Sequence, residues 1–199
     1  MIGNALGLII KPKSQWQAIA KQEQFSLVSA VLYVAILALI PVVAWHYGVT
    51  VIGWSVGDGE RIRMTRDSAT VIIALFYFTM IVAVCAIGYM IHWMSTTYGT
   101  DSSTAKGIAV AGYSATPLFI AGAIGFFPVF WLALLIGVSA VSYAVYLLYV
   151  GIPIVMKIPE ERGFLFSSAV IAICLVFLMM IMGGSVILWD LGAAPSFTD

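Results

Sequence analysis

Gly107-IAVAGYSATPLFIAGAIGFFPVFWLALLIGVSAVSYAVYLLYVGIPIV-Met156 runs for 50 residues without an Asp, Glu, Lys or Arg. As one helix it would reach roughly 75 Å at 1.5 Å per residue. A bilayer offers ~30 Å of hydrocarbon, which about 20 apolar residues cross. The run is therefore too long for one crossing and must turn inside itself. Gly125-Phe-Phe-Pro128 is the natural break, because Pro cannot continue a helix but suits the first turn of the next. The expected division is 108–127 and 128–150.

Three further charge-free runs flank it: Glu23 to Asp58, Asp67 to Asp101, and Gly163 to Trp189. Each fits one crossing, at about 25–45, 70–93 and 165–189. The reading is an all-α polytopic membrane protein with five transmembrane helices. A four-span version would make one run re-entrant. Composition agrees: 62% of the 199 residues are hydrophobic and 9% charged, against roughly 25% charged in soluble domains. Trp45, Trp93, Trp131 and Trp189 fall near the expected span ends, where amphipathic rings prefer the headgroup region.

Lys and Arg placement gives the orientation. With five crossings Lys11, Lys13, Lys21, Lys106, Lys157 and Arg162 share one side. Arg61, Arg63 and Arg66 take the other, beside Asp58, Glu60 and Asp67. The expectation is an N-terminus in the cytosol and a C-terminus outside. Residues 1–10 are apolar but do not read as a cleaved signal, because the charges Lys11 and Lys13 follow the apolar stretch instead of preceding it. Zero net charge gives no basic face for a nucleic acid.

Outside the lipid, residues 1–24 read as a cytosolic or interfacial segment and 25–199 as the five-span domain. Ser14 and Gln17 have capping-box spacing, and Trp16, Ile19 and Ala20 recur at helical spacing with Lys21 on another face. This predicts a short amphipathic helix, either on the bilayer surface or packed against span ends. Trp16, Ile19 and Lys21 are its candidate interface residues. In the first outer loop, β-branched residues 49–56, the turn Gly57-Asp58-Gly59 and alternation over 61–65 predict a small β-hairpin.

Ionisable groups inside a span usually mark a path for ions or protons, and none of the eighteen charged residues falls at an expected span centre. No nucleophile elbow, zinc helix or phosphate loop is present, so an enzyme is not expected. No motif calls for a cofactor or a metal, and Cys85 and Cys174 read as small apolar residues within spans. The polarity that remains is uncharged: Gly112-Tyr-Ser-Ala-Thr-Pro117 in the third span, and Tyr143, Tyr146 and Tyr149 in the fourth. Pro117 removes a backbone hydrogen bond that a nearby Ser or Thr can replace. Tyr113, Ser114, Thr116, Pro117 and the three tyrosines therefore form either packing glue or a polar groove, with small residues Ala140, Ala144, Gly183 and Gly184 permitting close helix approach.

Three stretches in this order resemble the Yip membrane family, the Rab-GTPase-interacting proteins and their bacterial relatives. They are Lys11-Pro-Lys-Ser-x-Trp-x-x-Ile19, Gly112-Tyr-Ser-Ala-Thr-Pro117, and Tyr146-Leu-Leu-Tyr-Val-Gly-Ile-Pro153 followed by Lys157-Ile-Pro159. The resemblance implies five spans with the N-terminus in the cytosol. Eukaryotic members bind prenylated Rab GTPases and carry a long cytosolic N-terminal region. With about 24 residues before its first span, this chain resembles the bacterial branch. The expected function is a non-enzymatic inner-membrane protein that binds membrane proteins or lipids as a scaffold or adaptor. The alternative is a small transporter or channel for a neutral solute, ion or lipid. The bilayer is the one partner composition requires, and no feature sets an oligomeric state.

Overall fold

The computed structural model describes residues 2–22, 25–55, 60–97, 100 and 102–198. Helices dominate. Two short ones, α1 (Ile2–Ile10) and α2 (Pro12–Ala20), precede the long α3 (Leu27–Tyr47) and α4 (Arg66–Thr97). Then come α5 (Thr104–Ser114), α6 (Thr116–Ala121), a 3-10 segment (Gly122–Phe126), α7 (Phe130–Met156) and α8 (Glu160–Leu188). A two-residue sheet joins β1 (Arg63–Met64) to β2 (Phe197–Thr198).

The helix spanning Leu27–Ile52 and those of Arg66–Thr97, Phe130–Met156 and Glu161–Ala193 are each long and apolar enough to cross a membrane. The expected third span is made in two pieces, Thr104–Ser114 and Thr116–Phe126, bent by 41°. Each of these helical regions overlaps one of the expected spans. The helices outlast the runs, with Arg66, Asp67 and Glu161 in their first turns, because a helix need not end where hydrocarbon does.

Ends are set locally. The Ser26 hydroxyl accepts from the Ser29 N–H (3.4 Å) at the start of α3, and Ser103 does the same for Lys106 (3.3 Å) at α5. Such caps satisfy donors that the first turn leaves open. α7 ends on Lys157 in the left-handed region (φ 53°), with N–H groups of Lys157 and Ile158 both reaching the Pro153 carbonyl, and Pro159 follows.

Four expectations need correction. Pro128 does not open the fourth helix. The 3-10 segment before it lies flat on α3, where a Cβ on Gly125 would stand 2.7 Å from the Trp45 nitrogen, so the turn runs through Val129 and α7 starts at Phe130. The outer β-hairpin is only partly formed. Trp54 and Ile62 make an antiparallel bridge (3.0 and 2.9 Å), but Gly48–Ile52 continues α3 as a π-helical turn, and Arg63–Met64 pairs with the C-terminal Phe197–Thr198 instead of the near strand. Val56 and the expected turn Gly57-Asp58-Gly59 lie outside the described residues. No capping box forms in α2, because Pro12 starts the helix two residues earlier and Ser14 donates to the Lys11 carbonyl at 3.0 Å. Finally, Gly183 and Gly184 face open space, and close helix approach occurs elsewhere, where Gly88 of α4 meets the backbone of Ile108 and Gly107 of α5 meets Gly88.

Candidate functional site

The polar residues of the spans are distributed by the bend in α5–α6. Pro117 lacks an N–H, so the helix is interrupted at Ala115 and restarts with Thr116. The Thr116 hydroxyl turns back to the Gly112 carbonyl (3.3 Å) and also meets the Tyr33 hydroxyl of α3 at 2.7 Å. Thr116 is fully buried, so it has no lipid or water route to other partners. Tyr33 in turn stacks at a tilt on Tyr113, ring centroids 4.8 Å apart.

Tyr113 is the junction between the spans and the N-terminal pair of helices. Its hydroxyl accepts from the Asn4 amide at 3.2 Å, and Asn4 accepts from the Gln15 amide at 2.9 Å. The Trp16 ring meets Tyr113 edge-on at 6.2 Å. α1 and α2 form a tight pair because Gly7 has no side chain where the Gln15 carboxamide lies. Leu8, Trp16 and Ile19 are fully buried, and Trp16 rests on Gly151 of α7, where a Cβ would fall 2.6 Å from the ring. The Lys21 end of α2 is exposed, as are Leu6, Ile9 and Ile10 of α1.

The three tyrosines of α7 do not line a common surface with Tyr113. Tyr143 donates to the Leu8 and Ile9 carbonyls at the end of α1, both at 3.0 Å. These carbonyls have no N–H donor further along α1, so the tyrosine serves as its C-terminal cap. Tyr146 is 43% exposed and touches Tyr143 (5.7 Å between centroids). Tyr149 turns the other way, to Ser168 of α8 at 2.8 Å. Among the sequence candidates, then, Tyr113 and Thr116 are brought together with Pro117, while the tyrosines fan out to separate neighbours. Ser114 is buried, and its hydroxyl, the Ser167 hydroxyl and the Trp16 Nε1 have no hydrogen-bond partner among the described residues.

Sequence reasoning did not single out Asn4, Gln15 or Tyr33. The signal for Asn4 is its position, a lone amide within nine otherwise apolar or glycine residues. A cavity of about 210 Å³ opens beside this network, lined by Asn4, Gln22, Ser26, Ser29 and Tyr113 with apolar neighbours. Among the described residues its walls carry hydroxyls and amides and no ionisable group other than the tyrosine, a lining that can hydrogen-bond a neutral group. Cys85 and Cys174 are free thiols, and no cluster of three metal-ligating side chains exists among the described residues.

The chain matches the family model "Yip1 domain" over residues 6–181. It is 36% identical over 186 residues to "Inner membrane protein YohC" of Escherichia coli K12, covering 94% of this chain and 95% of the relative. The same figures hold for the protein of that name in Escherichia coli O6:H1. No solved structure matches. Together with the apolar helices, these relatives place the chain as a multi-pass protein of the inner membrane. It belongs to the Yip1 domain family of membrane proteins, in its bacterial branch.

Proposed function

We propose that this protein works by binding, as a non-enzymatic scaffold or adaptor for other membrane proteins or lipids. The observation that supports this is how span polarity is used. Tyr33, Tyr113, Thr116, Tyr143 and Tyr149 each meet a partner on a different segment, and two of them fasten the N-terminal helix pair to the bundle. Hydroxyls committed to such pairs act as interhelical glue. The docked pair turns Leu6, Ile9 and Ile10 outward next to exposed Lys11, Lys13 and Lys21. That is an apolar strip beside cations, suited to a bilayer surface or to a membrane partner. In this reading there are five crossings, the bent α5–α6 pair being one, with the N-terminus in the cytosol.

The cavity beside Tyr113 supports the second reading, a transporter or channel for a neutral solute, ion or lipid. Proteoliposomes separate the two. The binding reading expects solute and ion flux no higher than in protein-free vesicles. It also expects a defined membrane partner that copurifies with the full chain and is lost when residues 1–24 are deleted. Flux that Tyr113→Phe or Pro117→Ala abolishes would overturn it in favour of transport.

A further inference from the structure

A second cavity, of about 640 Å³, lies between α3 and α4 at the end where Arg66 begins α4. This is within the roughly 300–1,000 Å³ of sites that hold small molecules. Its two ends differ in chemistry. One is a polar rim of His46, Thr50, Arg66 and Thr70; the other is an apolar trough of Leu39, Val43, Ile73, Ala74 and Phe78. The trough runs down the lipid-facing sides of two helices, with Leu39, Val43 and Phe78 46–62% exposed.

The rim is held in place by its own bonds. His46 Nε2 meets the Thr70 hydroxyl at 3.3 Å, Thr70 donates to the Arg66 carbonyl at 2.8 Å, and Thr50 donates to the His46 carbonyl at 2.7 Å. The π-helical turn of Gly48–Ile52 brings Thr50 to this position. Arg66 is exposed, and its guanidinium makes no ion pair among the described residues. Tyr77 closes the inner side of the trough by donating to the Ala35 carbonyl at 3.2 Å.

A cation at headgroup level above a hydrocarbon trough matches one kind of molecule in a bilayer. We propose that this crevice holds a single phospholipid, with its phosphate on Arg66 and one acyl chain between α3 and α4. Guanidinium is the side chain best shaped for a phosphate, through paired N–H donors, and the carbons below it continue the chain's own environment. The phosphate is the group that the guanidinium recognises, and phosphatidylglycerol supplies it as the probe. The site lies at the other end of α3 from the N-terminal pair and does not depend on the scaffold reading.

The test is native mass spectrometry of the full chain in mild detergent, titrated with phosphatidylglycerol. Wild type is expected to retain one tightly held lipid. Arg66→Gln removes the phosphate partner, and Ala74→Trp fills the trough; both positions are exposed, so the bundle keeps its packing. Each is expected to weaken retention about tenfold, the effect of losing one charged hydrogen bond or one chain contact. Arg61→Gln, exposed and outside the crevice, is expected to match wild type. The proposal is overturned if wild type retains no lipid, or if either crevice variant binds as wild type. It is equally overturned if Arg61→Gln weakens binding as much as Arg66→Gln, since a diffuse basic surface would then account for the attraction.

Discussion

Gly151→Ala puts one methyl group into the contact that holds the N-terminal pair on the bundle. The new Cβ would stand 2.6 Å from Cε2 and Cζ2 of Trp16 and 3.0 Å from Cδ2. Carbon atoms rest at about 3.5–4.0 Å, so roughly 1 Å must be found. The indole cannot supply it alone, because it is fully buried with Tyr113 against its edge at 6.2 Å. α2 must therefore lift from α7. Overpacking of this size costs about 1–3 kcal/mol. Alanine is also a better helix former than glycine by ~1 kcal/mol, but α7 is helical whether or not α2 is docked, so that gain cancels from the docking equilibrium. The assay places a cysteine at the fully buried Ile19, in a background where Cys85 and Cys174 are alanine, and follows maleimide labelling in membranes. Labelling of a buried thiol proceeds through the open state, whose population sets the rate. Gly151→Ala should therefore raise it about 5- to 150-fold. Gly183→Ala, whose Cβ would meet nothing within 4 Å, is the control and should leave the rate unchanged. Equal rates in Gly151→Ala and its parent would refute the docked arrangement.

A double-mutant cycle of Tyr33→Phe and Thr116→Ala, read by unfolding in mixed micelles, should give a coupling of about 0.6 kcal/mol and no more than about 1.7, the span found for such bonds in membranes; zero coupling would mean the 2.7 Å pair is not formed. Gly88→Leu should abolish recovery of folded protein, since its side chain would enter the Ile108 backbone, whereas Gly184→Leu, in open space, should be recovered normally. In a background where Trp54 is the one tryptophan, Phe197→Ala removes the ring that meets it edge-on at 5.7 Å, so Trp54 emission should shift to the red, while Phe130→Ala, whose ring meets position 131 instead, should not shift it.

The spans were legible because hydrocarbon rejects charge, and eighteen ionic side chains in 199 residues leave gaps that measure out crossings. What was not legible depended on partners far away in the chain. β1 finds its neighbour more than 130 residues later, and a two-residue strand has too little pattern to announce that choice. The α2 helix was read from Trp16 and Ile19, and both are indeed its buried side, but the start of that helix was misjudged. Ser14 has cap spacing, yet Pro12 fixes its own φ and begins the helix without a side-chain cap. α1 lacked any such marker except Asn4.

The tyrosines of α7 show why spacing alone could not decide between groove and glue. Successive residues of a helix turn by about 100°, so positions three apart differ by about 60° and Tyr143 and Tyr149 by about 120°. A stripe that drifts this far cannot face one cavity. Its first member reaches α1, its last reaches α8, and the middle one faces outward. Whether a polar group in a membrane lines a path or ties two helices thus depends on what stands within about 3 Å of it, and here the tie to α1 comes from an element that the sequence left as the apolar start of a cytosolic or interfacial segment. The same logic gives Tyr113 its importance: with Pro117 interrupting the helix above it and Asn4 meeting it from the side, it is the point at which the bend of the third span and the docking of the N-terminal pair become one structure. A change at either should be felt at the other, which links the N-terminal helix pair to the shape of the core.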